Sequence, residues 1–77
     1  MQVETVGQYQ LHLIARERAR SDGWDAFVEV LKFDDAAQDF KCVYERQQAS
    51  EVPLASYEEA IEQARRTGNT LIAKDAM

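Results

Sequence analysis

"WDAFVEVLKF" occupies residues 24–33. Aromatic and β-branched residues dominate it, which suits a pleated strand. Successive side chains of a strand point to opposite faces. Trp24, Ala26, Val28 and Val30 therefore share one face, and Phe27, Leu31 and Phe33 share the other. In a two-layer domain one sheet face packs on a helix and the other meets water. Here neither face is polar, so the fold turns on which of the two lies inside.

The answer depends on the segment upstream. From Gln8 to Ala19 apolar and polar residues alternate. Tyr9, Leu11, Leu13 and Ala15 form one face, Gln10, His12, Arg16 and Arg18 the other, with Ile14 the exception. Period two marks a strand. Ser21-Asp22-Gly23 is a turn signal, so the two strands form a hairpin. A two-residue turn at Asp22-Gly23 pairs Ala15 with Val30 and Ala19 with Ala26. A three-residue turn with Gly23 left-handed pairs Leu13 with Leu31 and Leu11 with Phe33. A slip of one residue exchanges the faces of one strand against the other. The three-residue form is expected, because it gathers Tyr9, Leu11, Leu13, Phe27, Leu31 and Phe33 into one core. Trp24, Val28, Val30 and Ile14 then form a second apolar face among His12 and the arginines. A contiguous apolar patch of that kind marks a partner surface. These four residues are the candidate interface, with a homodimer through the sheet or another protein as the partner. The competing reading folds the terminal segments over the same face.

Downstream, "DDAAQD" (34–39) is a polar turn and "FKCVYERQ" (40–47) alternates as a third strand. Cys42 alternates with Phe40 and Tyr44, which suggests a buried small hydrophobe. "QASEVP" (48–53) is loop, and Pro53 fits a segment outside the ladder. "LASYEEAIEQARRTG" (54–68) then reads as a capped helix. Ser56 and Glu59 form an S-x-x-E capping box. Glu58 and Glu59 sit at the positive end, Arg65 and Arg66 at the negative end. Glu62 and Arg66 form an i,i+4 pair. Tyr57, Ala60, Ile61 and Ala64 make the apolar stripe, and Gly68 is expected to stop the helix. The helix is placed at 56–67. Residues 69–74 are a short fourth strand or an extended tail, and 75–77 are frayed. The expected architecture is α+β. A three-stranded sheet, four-stranded if 69–74 join it, is antiparallel and packed by one C-terminal helix in βββα order. Residues 1–77 make a single domain with an ordered core at about 8–72.

The chain has 77 residues, and a domain of this size buries only about 60% of the surface its unfolded chain exposes. Cys42 is the only cysteine, so neither a disulfide framework nor a cysteine zinc site can form. The lone thiol suits a reducing compartment, and a cytoplasmic location is expected. The uninterrupted apolar runs are too short for a signal peptide or a membrane helix. Net charge is −5, which repels phosphate backbones and argues against nucleic acid as a partner. Residues 1–20 are locally basic. Arg16, Arg18 and Arg20 would share a strand face and are the weak candidate nucleic-acid contact, against cross-strand pairing with Asp25 and Glu29. His12 has no catalytic partner in the sequence pattern. Asp34, Asp35 and Asp39 lack the spacing and the central glycine of a calcium loop. Gly7, Gly23 and Gly68 are too far apart for a phosphate loop. No catalytic residue, cofactor or metal is expected.

The order strand, Gly23-Trp24, strand, then "SYEEAIEQAR" (56–65) resembles small bacterial domains of unknown function that end in an S/T-x-E-E-A-I-x-x-A helix. It is more distantly similar to HicB-type antitoxins, which share the strand, DG turn, strand and T-x-E-E-A helix. Their Pro-Asp-Leu-Pro-Gly-Cys segment is replaced here by "FKCVYERQ" (40–47). With one His and one Cys to furnish a pocket and an apolar face left over, the residues read as a βββα domain that acts as a protein-interaction or assembly module rather than an enzyme. Its alternative is an antitoxin-like or nucleic-acid-binding regulatory module.

Overall fold

A computed structural model describes residues 1–77, the side chain of Ser21 excepted. Four strands run in chain order across one antiparallel sheet: β1 (Gln2–Val6), β2 (Tyr9–Glu17), β3 (Trp24–Asp34) and β4 (Asp39–Gln48). One helix, α1 (Tyr57–Ala76), follows them. The class is α+β with a C-terminal helix, as the residue pattern implies. The fourth strand, however, comes from the N-terminus and not from residues 69–74, so the order is ββββα. Val3, Thr5 and Val6 are β-branched, and Gly7-Gln8 closes a tight turn between the paired Val6 and Tyr9.

The hairpin of β2 and β3 is wider than either turn considered from sequence. Glu17 pairs with Trp24, and six residues connect them. Ala19–Ser21 form a 3-10 turn inside that connection. Arg18 N–H donates to Gly23 C=O at 2.8 Å and closes it. The register runs Leu11 to Val30, Leu13 to Val28 and Ala15 to Ala26. Six residues have the parity of the two-residue turn, so the three-residue expectation is overturned. The face of β3 built from Ala26, Val28 and Val30 is the inner one, and all three are fully buried. Gly23 is required where it stands. Its φ is +120°, and a Cβ there would meet Leu54 O at 2.8 Å. Trp24 and Leu54 exchange two backbone hydrogen bonds, at 2.8 and 2.9 Å, which hold the loop after β4 against the start of β3.

The helix is also longer than its sequence signals suggest. Ser56 caps it, its Oγ accepting from Glu59 N–H at 3.2 Å. The Glu59 carboxylate reaches back one residue beyond the cap and accepts from Ala55 N–H at 3.1 Å. Gly68 does not end the helix, and residues 69–76 are neither strand nor tail. The apolar stripe of Ala60, Ile61 and Ala64 continues through Gly68 and Leu71, and all five are buried. Gly68 marks the closest approach of helix to sheet. A Cβ there would lie 2.8 Å from Leu11 Cδ2 and 3.2 Å from Val28 Cγ2. Packing, not helix propensity, decides the element's length.

The core is one layer between sheet and helix: Tyr9, Leu11, Leu13, Ala26, Val28 and Val30 below, Ala60, Ile61, Ala64 and Leu71 above. Trp24 closes one end, its ring edge-on to Tyr57 at 5.6 Å. Polar ties fix the rest of the helix. Arg65 Nε and Nη2 donate to the Glu4 carboxylate at 3.0 and 2.6 Å, and Arg65 also pairs with Glu62. The Tyr9 hydroxyl donates to Asp75 at 2.7 Å, which anchors the last turn. Those hydrogen bonds hold the Glu4 carboxyl below its ordinary pKa and raise that of the Tyr9 hydroxyl.

Candidate functional site

The helix packs on β2 and β3 from one side, and no described element lies on the other side of the sheet. That open face takes alternate residues from each strand. Cross-strand partners set its rows. Arg16 lies beside Asp25, Ile14 beside Phe27, and His12 beside Glu29 with Val3 on its far side. Gln10 lies beside Leu31, flanked by Thr5 and Cys42, and Phe33 lies beside Phe40. Ile14, Phe27, Leu31, Phe33 and Phe40 are each half-buried by their neighbours and remain open to solvent above the sheet. The Phe33 and Phe40 rings meet edge-on at 5.3 Å. At the other end the Arg16 guanidinium lies over the Phe27 ring at 5.8 Å.

A charged band crosses the middle of this face. Glu29 on β3 receives His12 from β2, Nδ1 to Oε1 at 3.5 Å, and Arg46 from β4, Nε to Oε2 at 3.3 Å. His12 Nε2 lies 2.9 Å from Gln10 Oε1. The carboxylate thus sits between two basic groups, with apolar patches on either side along the strands.

The second apolar face expected from sequence exists, but with different residues. Val28 and Val30 are core residues beneath α1, and Trp24 packs on Tyr57. They do not form the open face, because the six-residue connection inverts β3 relative to the expected register. Ile14 is the one candidate interface residue that lies there. Phe27, Leu31 and Phe33 take the places assigned to the other three. Phe40 was missed as a partner of Phe33, although its spacing across the 34–39 turn carried the signal.

Cys42 is exposed, not buried. Its pattern with Phe40 and Tyr44 is broken by two register shifts between β3 and β4. Phe40 and Cys42 consequently face outward, while Tyr44 pairs with Val30 and packs on the core.

The three arginines do not share a strand face. Strand β2 ends at Glu17, so only Arg16 belongs to it. Arg18 pairs with Asp25 at 3.2 Å. Arg20 takes a left-handed backbone, φ +67°, in the 3-10 turn. With Glu17, Asp22 and Asp25 they line a shallow depression in which the carboxylates balance the guanidinium groups.

Asp34 is engaged by its own turn. It pairs with Lys41 at 2.8 Å and accepts from Ala36 N–H at 2.9 Å, and these contacts, Lys41 foremost, hold its carboxyl below the usual range. Among the described residues no three His, Cys, Asp or Glu side chains converge as a metal ion requires, and no helix is long and apolar enough to cross a membrane. Compared with protein-family models, with curated proteins and with solved structures, the chain matches none of them.

Proposed function

We propose that this chain is a small non-catalytic, cytoplasmic interaction module whose working surface is the open face of its sheet. The observation that carries this reading is the set of Ile14, Phe27, Leu31, Phe33 and Phe40, in two patches on a face that no described element covers. Solvent-facing antiparallel sheets ordinarily present polar side chains there. Apolar patches of this kind on a small domain favour a partner. Each of the five retains apolar area whose burial would stabilise a complex by roughly 1 kcal/mol. Of the charges that line the shallow depressions on the surface, Lys41 is paired with Asp34 and Arg18 with Asp25. This favours binding over catalysis, and an exposed single thiol fits a reducing compartment.

Immobilised protein tests the reading with extract of the native cell. Wild type is expected to retain a partner that Leu31→Glu loses and that Glu58→Lys, on the solvent side of α1, keeps. Identical retention by wild type and Leu31→Glu would rule the open face out as the working surface.

A further inference from the structure

The open face is complementary to itself. From the pairing of β2 with β3 and the charges along them, we infer that the partner is a second copy of this chain. The two copies pack face to face about a two-fold axis parallel to the strands, between β2 and β3. The inference rests on the reading of the open face as the working surface and adds its occupant and geometry.

A two-fold interface is isologous, so each residue that meets another is met by it in return. An axis in the interface plane, midway between β2 and β3, lays β2 of one copy over β3 of the other. The outward rows are cross-strand pairs, so the axis exchanges their members. Arg16 faces Asp25 of the second copy, Ile14 faces Phe27, His12 faces Glu29 and Gln10 faces Leu31. Along β2 and β3 each charged residue thereby meets one of opposite sign, and Ile14 meets an aromatic ring; Arg46, on β4, lies under β1 of the second copy and keeps Glu29 of its own chain as its partner. Axes laid along a single central strand or across the charged band fail on charge. An axis along β3 would stack Glu29 on Glu29, and one along β2 would stack Arg16 on Arg16 and His12 on His12. An axis across the strands at the level of the charged band would also bring Glu29 onto Glu29. Like charges facing each other in a desolvated interface oppose association.

The overlap also engages every strand. With four strands, an axis between the second and third places β1 over part of β4. Strands about 4.8 Å apart and ~3.3 Å per residue make a face roughly 30 Å long, about 19 Å wide where the five residues of β1 complete it and about 14 Å elsewhere. Side-chain relief brings that plan area towards the ~800 Å² per partner of a stable interface. An axis parallel to the strands keeps the two sets of strands aligned, within the aligned class of sheet packing.

Charge-exchange variants test the arrangement by light-scattering mass across a concentration series. Wild type is expected at twice the 8.8 kDa chain mass at high micromolar concentration. Glu29→Lys would set a lysine over His12 of the second copy, and His12→Glu would set a carboxylate over Glu29. Each alone is expected to raise the dissociation constant about tenfold or more, with an unchanged circular-dichroism spectrum as the folding control. An equimolar mixture is expected to restore the dimer, because His12 then meets Glu29 and Lys meets Glu across the axis. A monomeric wild type overturns the inference. So does a dimer that both variants leave intact, or a mixture that stays monomeric when each variant is folded. A monomeric wild type that still captures another protein through Leu31 ends only the second-copy inference, whereas loss of both ends the open-face reading as well.

Discussion

Gly68 is where helix and sheet come closest, and a side chain there has nowhere to go. Leu11 and Val28, which a Cβ would strike, are both fully buried. Gly68→Val is therefore expected to lower stability by about 2–3 kcal/mol, the cost of overpacking a filled core. Urea denaturation measures this; an unchanged midpoint would contradict the close approach. Glu4 provides a second residue-scale test. Hydrogen bonds from Arg65 depress its pKa, partly opposed by desolvation, with the Arg65 charge adding to the depression. A depressed carboxyl contributes stability above its unfolded pKa and loses it as pH falls through the folded value. The two side chains are about a third exposed, so the tie is worth on the order of 0.5–1 kcal/mol and not more. Glu4→Gln should lie below wild type by that amount at pH 7. The gap should close as pH drops below the ordinary glutamate range, and a gap that persists at low pH would exclude this ion pair as its source.

At the scale of elements, α1 and the β2–β3 hairpin show what local patterns can and cannot carry. The helix start was legible, because Ser56, Glu58 and Glu59 act locally on the backbone ends. The helix end was not. Gly68 satisfies every local criterion for a stop, and only the stripe continued by Leu71 shows that packing overrides it. Removing residues 69–77 is accordingly expected to cost about 3 kcal/mol or more, through loss of buried Leu71 and of the Tyr9–Asp75 bond. Melting of the shortened chain checks this, and a tail reading would leave the midpoint in place. Strands β2, β3 and β4 were legible from their period, and so was the existence of two apolar faces on β3, whereas β1 was not read as a strand. Their assignment was not, because it depends on the parity of a connection that Asp22-Gly23 alone does not set. Cys42 failed for a related reason. A bulge in β4 changes the face of a strand without a signature in its alternation.

For the whole molecule, one helix and one four-stranded sheet leave a sheet face that no described element covers. The covered face combines small and branched residues that admit close helix packing with Tyr9, Trp24 and Tyr44. The open face carries Ile14, Phe27, Leu31, Phe33 and Phe40 in two patches around the His12–Glu29–Arg46 band. Their division is a property of assembled strands and could be read from sequence only as an excess of apolar residues. The interface claim is tested most directly by amide NMR spectra of the wild-type protein recorded through serial dilution. Shifts confined to the rows of Ile14, His12, Phe27, Glu29 and Leu31 are the predicted result, with the solvent side of α1 unchanged. Spectra that do not change with concentration, or changes centred on α1, would contradict a second copy on the open sheet.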